Sequence, residues 1–90
     1  MPRPCKNRRV RGKPISSYFK PNGISMNNLE EVSLTSEEFE AIRLKDYEEL
    51  DQVDCAKEME ISQTTFHRIL IVARKKISDA IINGKAIKIN

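Results

Sequence analysis

Apolar side chains recur along the last third of the chain at helical spacing. Phe66, Ile69, Leu70, Ala73, Ile77, Ala80 and Ile81 fall at offsets 0, 3, 4, 7, 11, 14 and 15. At 100° per residue they lie within about 60° either side of one direction. The pattern predicts a long helix opening at the N-cap Ser62 and ending near Ile82, before the stop signal Asn83-Gly84. Upstream, Thr35-Ser36-Glu37-Glu38 matches the capping box, in which hydroxyl and carboxylate each satisfy the other residue's backbone N–H. A first helix is expected from there to about Glu48, with Phe39, Ala41, Ile42, Leu44 and Tyr47 on its apolar side and Glu37, Glu38 and Glu40 at or near the positive end of its dipole. Asp51 caps a short second helix, Gln52 to Met59, with Val53, Ala56 and Met59 inward and Cys55 beside them.

The flanks read differently. Ile15–Lys20, Glu31–Leu34 and the alternating Ile87-Lys88-Ile89 are strand candidates, the last pairing with Glu31–Leu34. Pro21-Asn22-Gly23 is a turn signal. Residues 1–14 hold three prolines, six Lys/Arg and one aliphatic residue, Val10, and are expected to be a flexible basic arm. Tyr18 and Phe19 are read as core. The expected fold is therefore mainly α: a three-helix helix-turn-helix core over residues 15–90, with small β additions from the N- and C-terminal segments.

Charge sharpens this picture. The net charge is only +3, but residues 1–20 carry seven basic and no acidic side chains, residues 21–60 twelve acidic and three basic, and residues 61–90 six basic and one acidic. Two basic ends around an acidic middle suit a polyanion that touches part of the surface. The longest apolar run, Ile69–Ala73, is five residues, against the roughly 20 of a bilayer span. The charged, proline-rich start lacks the apolar centre of a signal peptide. A cytoplasmic protein with reduced thiols is expected. With one histidine, and with Cys5 and Cys55 far apart, neither a metal site nor a nucleophile–base pair can be assembled. No enzyme activity and no cofactor are expected.

Helix two, a tight turn and helix three have the requirements of a helix-turn-helix, which presents its second helix to the DNA major groove. Ala56 is small where the backbones approach, Ile61 is apolar after the turn, and Phe66 and Ile69 anchor helix three. Glu60 stands where a positive φ is needed and glycine is usual, at a cost of roughly 1 kcal/mol. Opposite or beside the apolar stripe lie Thr64, His67, Arg68, Ile71 and Lys75, with Gln63 in the exposed first turn. Gln suits adenine, Arg suits guanine, and Thr offers a hydroxyl and a methyl. Base contacts are therefore expected from Gln63, Thr64, His67 and Arg68. Phosphate contacts are expected from Ser62, Arg74, Lys75 and Lys76, and from Arg3, Lys6, Arg8, Arg9, Arg11 and Lys13 of the arm.

A resemblance extends over nearly the whole chain. It is carried by the opening M-P-R-P, Tyr18-Phe19-Lys20-Pro21-x-Gly23, Leu29–Val32, L-T-x-x-E at Leu34–Glu38, E-A-I-R-L at Glu40–Leu44, S-x-x-T-F at Ser62–Phe66, Arg68-Ile69-Leu70 and G-K-A-I at Gly84–Ile87. Together these resemble uncharacterised protein family 0251, small prokaryotic proteins expected to bind DNA. The helical part is also similar to region four of bacterial sigma factors. The family's usual small residue after helix two is Glu60 here, and its usual basic residue after the serine cap is Gln63. The resemblance implies a DNA-binding role without naming a target. With the outward face of helix three it leads to the expectation of a sequence-specific transcriptional regulator on double-stranded DNA, and the limited specificity of one recognition helix makes a homodimer on paired half-sites one expected arrangement. Two alternatives stay open at this level: a module docking on the transcription machinery through the acidic middle, and an RNA-binding protein.

Overall fold

The computed structural model describes residues 10–90. Its elements run β1 (Tyr18–Phe19), a short 3₁₀ turn (Met26–Asn28), β2 (Glu31–Leu34), α1 (Ser36–Ile42), α2 (Gln52–Met59), α3 (Gln63–Asn83) and β3 (Ala86–Ile89). Three helices with a small sheet make the fold mainly α, as the periodicity predicts.

All three helix starts follow from their caps. Thr35 Oγ1 accepts from the Glu38 N–H at 3.1 Å while Glu38 Oε1 accepts from the Thr35 N–H at 2.9 Å, closing the capping box. Asp51 Oδ1 accepts from the Asp54 N–H at 2.9 Å, and Ser62 Oγ from the Thr65 N–H at 3.1 Å. α3 ends at Gly84 in the left-handed conformation, φ 66°, where glycine carries no Cβ penalty.

The first helix departs from expectation in its second half. Beyond Ile42 it widens into a π turn, Arg43–Tyr47, in which the Glu48 N–H reaches back to the Arg43 carbonyl at 2.8 Å. Glu49 follows with φ 63°. The wider turn keeps Leu44 buried but swings Tyr47 to 79% exposure, so Tyr47 is not part of the apolar side. Val53 is also exposed, because Cys55 completes the inward face of α2 with Ala56 and Met59.

One apolar cluster joins the helices: Ala41, Leu44, Cys55, Ala56, Met59, Phe66 and Leu70, with Ile61 and Ile69 packed at its edge. Burial raises the Cys55 thiol pKa, which leaves it an inert packing residue. Leu34, Ala73 and Ile89 form a second cluster between α3 and the sheet. β3 is central in the order β1-β3-β2: it pairs in parallel with β2, Glu31 opposite Ala86 and Leu34 opposite Ile89, and antiparallel with β1. Tyr18 is only half-buried and Phe19 is exposed, since β1 has two residues and lies at the sheet edge. Ile81 is likewise exposed, the neighbouring Ala80 taking the inward position at this end of α3.

Glu40 is 1% exposed. Its carboxylate accepts from Arg43 Nε and Nη2, both at 2.8 Å, and from the backbone N–H groups of Arg11 and Gly12, both at 3.1 Å. Residues 11 and 12, expected in the free arm, are therefore tied to α1. Burial alone would raise the pKa of Glu40. The Arg43 hydrogen bonds, the two backbone donors and the Arg43 charge outweigh it and hold the carboxyl below its ordinary value. A depressed carboxyl pKa gives stability that is complete above the unfolded-state value, about 4.3 for Glu, and is lost as pH falls through the folded value. Thermal melts should therefore show a decline below about pH 4 that is smaller in Glu40→Gln.

Among the described residues, no helix is long and apolar enough to cross a membrane.

Candidate nucleic-acid interface

α2 and α3 are joined by Glu60, Ile61 and Ser62. Glu60 takes φ 59°, ψ 44°, the left-handed conformation its position requires. Its N–H reaches the Lys57 carbonyl at 3.1 Å, and the Ile61 N–H reaches Ala56 at 3.0 Å, so the turn closes on the end of α2. Replacing Glu60 with glycine should relieve the strain and stabilise the fold by about 0.5–1 kcal/mol, read as a rise in melting temperature of a few degrees. The partly buried Ile61 packs on the helical core. At the far end of α2, Gln52 Nε2 donates to the Gln63 carbonyl at 3.5 Å.

On α3, Phe66, Leu70 and Ala73 turn inward and are essentially inaccessible. Gln63, Thr64, His67, Arg68, Ile71 and Lys75 are all exposed. Thr64, Arg68, Ile71 and Lys75 recur at offsets of four, three and four, which gathers them within about 60° on the wheel, opposite the buried stripe. His67 borders them, whereas Gln63, in the first turn, falls nearer the edge of the apolar stripe. Among the described residues, the side chains of Thr64, His67, Arg68 and Lys75 make no hydrogen bond or ion pair. Ile71, 48% exposed, lies inside this strip between Arg68 and Lys75. It escapes a search for polar contacts; its place off the apolar stripe is the signal that finds it.

The expected phosphate-binding residues divide. Lys75 is exposed on the strip, with the Asp79 carboxylate within electrostatic reach. Arg74 is committed to Asp46 of the π turn, with Nη2–Oδ1 at 2.6 Å and Nε–Oδ2 at 3.2 Å. That hydrogen bonding depresses the Asp46 pKa. Lys76 Nζ lies 2.7 Å from the Ser33 carbonyl and 2.8 Å from Glu38 Oε1. Arg74 and Lys76 sit about 80° to either side of the buried stripe, so each reaches an acidic neighbour on the flank rather than the outward face. The Ser62 hydroxyl accepts the Thr65 N–H and meets Thr65 Oγ1 at 3.0 Å, so it is engaged in capping. In this structure all three side chains are thus engaged within the fold, Arg74 and Lys76 with acidic neighbours and Ser62 in the cap of α3.

In the arm, Arg11 pairs with Glu58 at 3.6 Å and Lys13 is exposed. Arg3, Lys6, Arg8 and Arg9 lie outside the described residues. No group of three or more His, Cys, Asp or Glu able to hold a metal occurs among the described residues.

The family described as "Protein of unknown function DUF134" matches residues 1–90. The chain belongs to this family. Curated UPF0251 proteins align over nearly all of it. The one from Caldanaerobacter subterraneus subsp. tengcongensis is 58% identical over 89 residues, 99% of this chain and 75% of the relative. Its counterpart from Thermoanaerobacter pseudethanolicus is 55% identical, with the same coverage of both chains. A UPF0251 protein of Dehalococcoides mccartyi is 51% identical, covering 99% of this chain and 76% of the relative. No solved structure matches. The UPF0251 chain thus spans about three quarters of each of these relatives.

Proposed function

We propose that this protein is a sequence-specific, double-stranded-DNA-binding transcriptional regulator of the cytoplasm. In this reading α2, the Glu60–Ser62 turn and α3 act as a helix-turn-helix similar to sigma region four. The observation that carries it is the exposed strip on α3: hydroxyl, guanidinium, aliphatic and ammonium groups of Thr64, Arg68, Ile71 and Lys75 on the face opposite the core, with the His67 imidazole beside them and the Gln63 amide exposed in the first turn.

With α3 in the major groove, Gln63 and Thr64 enter first, at the end whose free amides favour a phosphate. Arg68, one turn on, has the fork that matches guanine O6 and N7, and His67 reaches a neighbouring edge. Ile71 offers an apolar surface to a thymine methyl. Lys75 meets the backbone where the helix leaves the groove. Arg74 and Lys76 act indirectly, fixing α3 against the π turn and against β2. A second copy on an adjoining half-site would add the specificity that one helix lacks.

Fluorescence anisotropy on a labelled 30-base-pair duplex of mixed sequence, titrated with salt, tests the reading. Binding at low salt should weaken linearly on a log–log plot, and Lys75→Ala should lower the slope by about one. Absence of duplex binding at low salt would favour a protein-docking module. Tighter binding to RNA of matched length would favour an RNA-binding protein.

A further inference from the structure

Three apolar side chains that the fold leaves exposed gather on one groove. Ile15 is wholly exposed, Tyr47 is 79% and Phe19 52% exposed. All three line an open groove of about 600 Å³, whose lining comes from residues 13–19, from α1 with its π turn, and from Ile89 of β3. Apolar residues scattered singly over a surface need no explanation, but a contiguous patch marks a binding surface. The π turn makes this one, since it carries Tyr47 out of the helical core and onto the groove. The facing segment is fixed as well: immediately before Lys13, the N–H groups of Arg11 and Gly12 are held by the Glu40 carboxylate. Tyr47, Phe19 and Arg43 are the residue types that anchor protein interfaces.

Shape and charge both select a second copy of this chain as the occupant. A small ligand lying in the groove would leave Ile15 and much of Tyr47 in water. A two-fold pair covers them, because it sets one patch against itself and gives each protruding side chain a groove to enter. The charges are self-complementary too. Lys13 is exposed and, among the described residues, makes no hydrogen bond or ion pair. Across the groove the exposed Glu48, 3.6 Å from Arg43, follows Tyr47. A two-fold axis along the groove lays each side on the other copy's opposite side, so that Lys13 meets the second copy's Glu48 twice over. At about 200 Å² for a large side chain, Ile15, Tyr47 and Phe19 expose roughly 450 Å² per copy. With the half-buried Pro14, Phe39 and Ile42, a pair reaches the ~1,200 Å² at which specific interfaces begin. That size corresponds to a dimer of micromolar affinity.

We propose that the groove between residues 13–19 and the π turn is a two-fold homodimer interface, with Ile15 and Tyr47 of each copy seated on the other's groove and Lys13 beside the second copy's Glu48. No lining residue belongs to α3, so pairing uses none of the exposed strip. The purpose of the dimer, two copies on paired half-sites, rests on the DNA-binding reading; the interface itself does not.

Sedimentation velocity of the full chain without DNA, from about 5 to about 500 µM, reads the interface directly. Wild type should pass from monomer to dimer with a midpoint in the micromolar range. Ile15→Asp and Tyr47→Ala, at exposed positions, should keep the wild-type circular dichroism spectrum and raise the dimer Kd at least about 30-fold. Ile82→Asp, at an exposed apolar residue of α3 outside the groove, should leave the Kd unchanged. Lys13→Glu and Glu48→Lys should each dimerise several-fold more weakly, yet pair with one another when mixed, because the mixed dimer restores opposite charges at both contacts. A wild type still monomeric at about 500 µM would overturn the interface and leave the groove to a ligand or another protein. So would a dimer lost in Ile82→Asp but kept in Ile15→Asp and Tyr47→Ala. Failure of the two charge variants to pair would overturn the two-fold arrangement. Anisotropy on the mixed-sequence duplex keeps the two readings apart. A wild-type dimer that binds no duplex would confirm the interface and refute its purpose, whereas a monomer that binds duplex would refute the interface alone.

Discussion

Replacing Phe66 with alanine is expected to destabilise the fold by about 3–5 kcal/mol. Phe66 is completely buried and is among the largest side chains of the core that joins α1, α2 and α3. Truncation removes the transfer free energy of the ring and leaves a cavity that its neighbours cannot collapse to fill. Ala41 and Ala56 have too little side chain to move inward, and Met59 and Leu70 are themselves fully buried. Against the 5–15 kcal/mol typical of a small domain, that loss is a large fraction of total stability. The melting temperature should drop by roughly 15–30 °C, and chemical denaturation should show a lower midpoint. Ile71→Ala is the matched control: at 48% exposure it should change stability by no more than about 0.5–1 kcal/mol. Similar losses in the two variants would contradict the assignment of the inward and outward faces of α3.

Replacing Arg68 with alanine has the opposite signature. Arg68 is exposed, so stability should stay within about 0.5 kcal/mol of wild type. Affinity for the preferred duplex should fall by the value of one bidentate base contact, about 1–3 kcal/mol, or roughly 5- to 150-fold. Affinity for unrelated duplexes should fall much less. Specificity is therefore lost at one position of the binding site while non-specific binding persists. Lys75→Ala should behave in the complementary way, weakening all sequences alike. If Arg68→Ala weakened every duplex equally, Arg68 would be a backbone contact and the register of α3 in the groove would have to be redrawn.

Local information made much of the fold readable. Thr35, Asp51 and Ser62 cap their helices because each bond closes within three residues, so sequence spacing alone specifies it. The buried stripe of α3 is long enough for its phase to be unambiguous, and the alternation of Ile87 and Ile89 marks β3. What stayed hidden depends on contacts distant in sequence or on a change of helical pitch. The π turn at Arg43–Tyr47 has no compositional mark, and it carries Tyr47 out to solvent. Glu40 reads as one more carboxylate near the start of α1. Its burial depends on Gly12 and Arg11, far earlier in the chain.

The candidate interface divides along the same line. Thr64, His67, Arg68 and Lys75 are exposed because the wheel angle of a single helix decides their direction. Arg74 and Lys76 point to the flanks, where their fate depends on which element packs there. Asp46 and Glu38 supply the partners, and neither pairing is visible from spacing. A basic run on a helix therefore divides into one outward ammonium and two side chains held by acidic neighbours on the flanks. Glu60 at the α2–α3 junction, which with Glu49 is one of two non-glycine residues of positive φ among those described, is instead a position where geometry was required and the residue type gave no hint of how well it is met.

The central claim is that the outward strip of α3 reads duplex DNA by sequence. Selection from a random double-stranded library, with wild type and Arg68→Ala run side by side at two salt concentrations, tests it most directly. The account predicts one enriched motif at both salts for the wild type, and for Arg68→Ala the same motif with a single position blurred. A wild-type pool indistinguishable from the input library at both salts would contradict it.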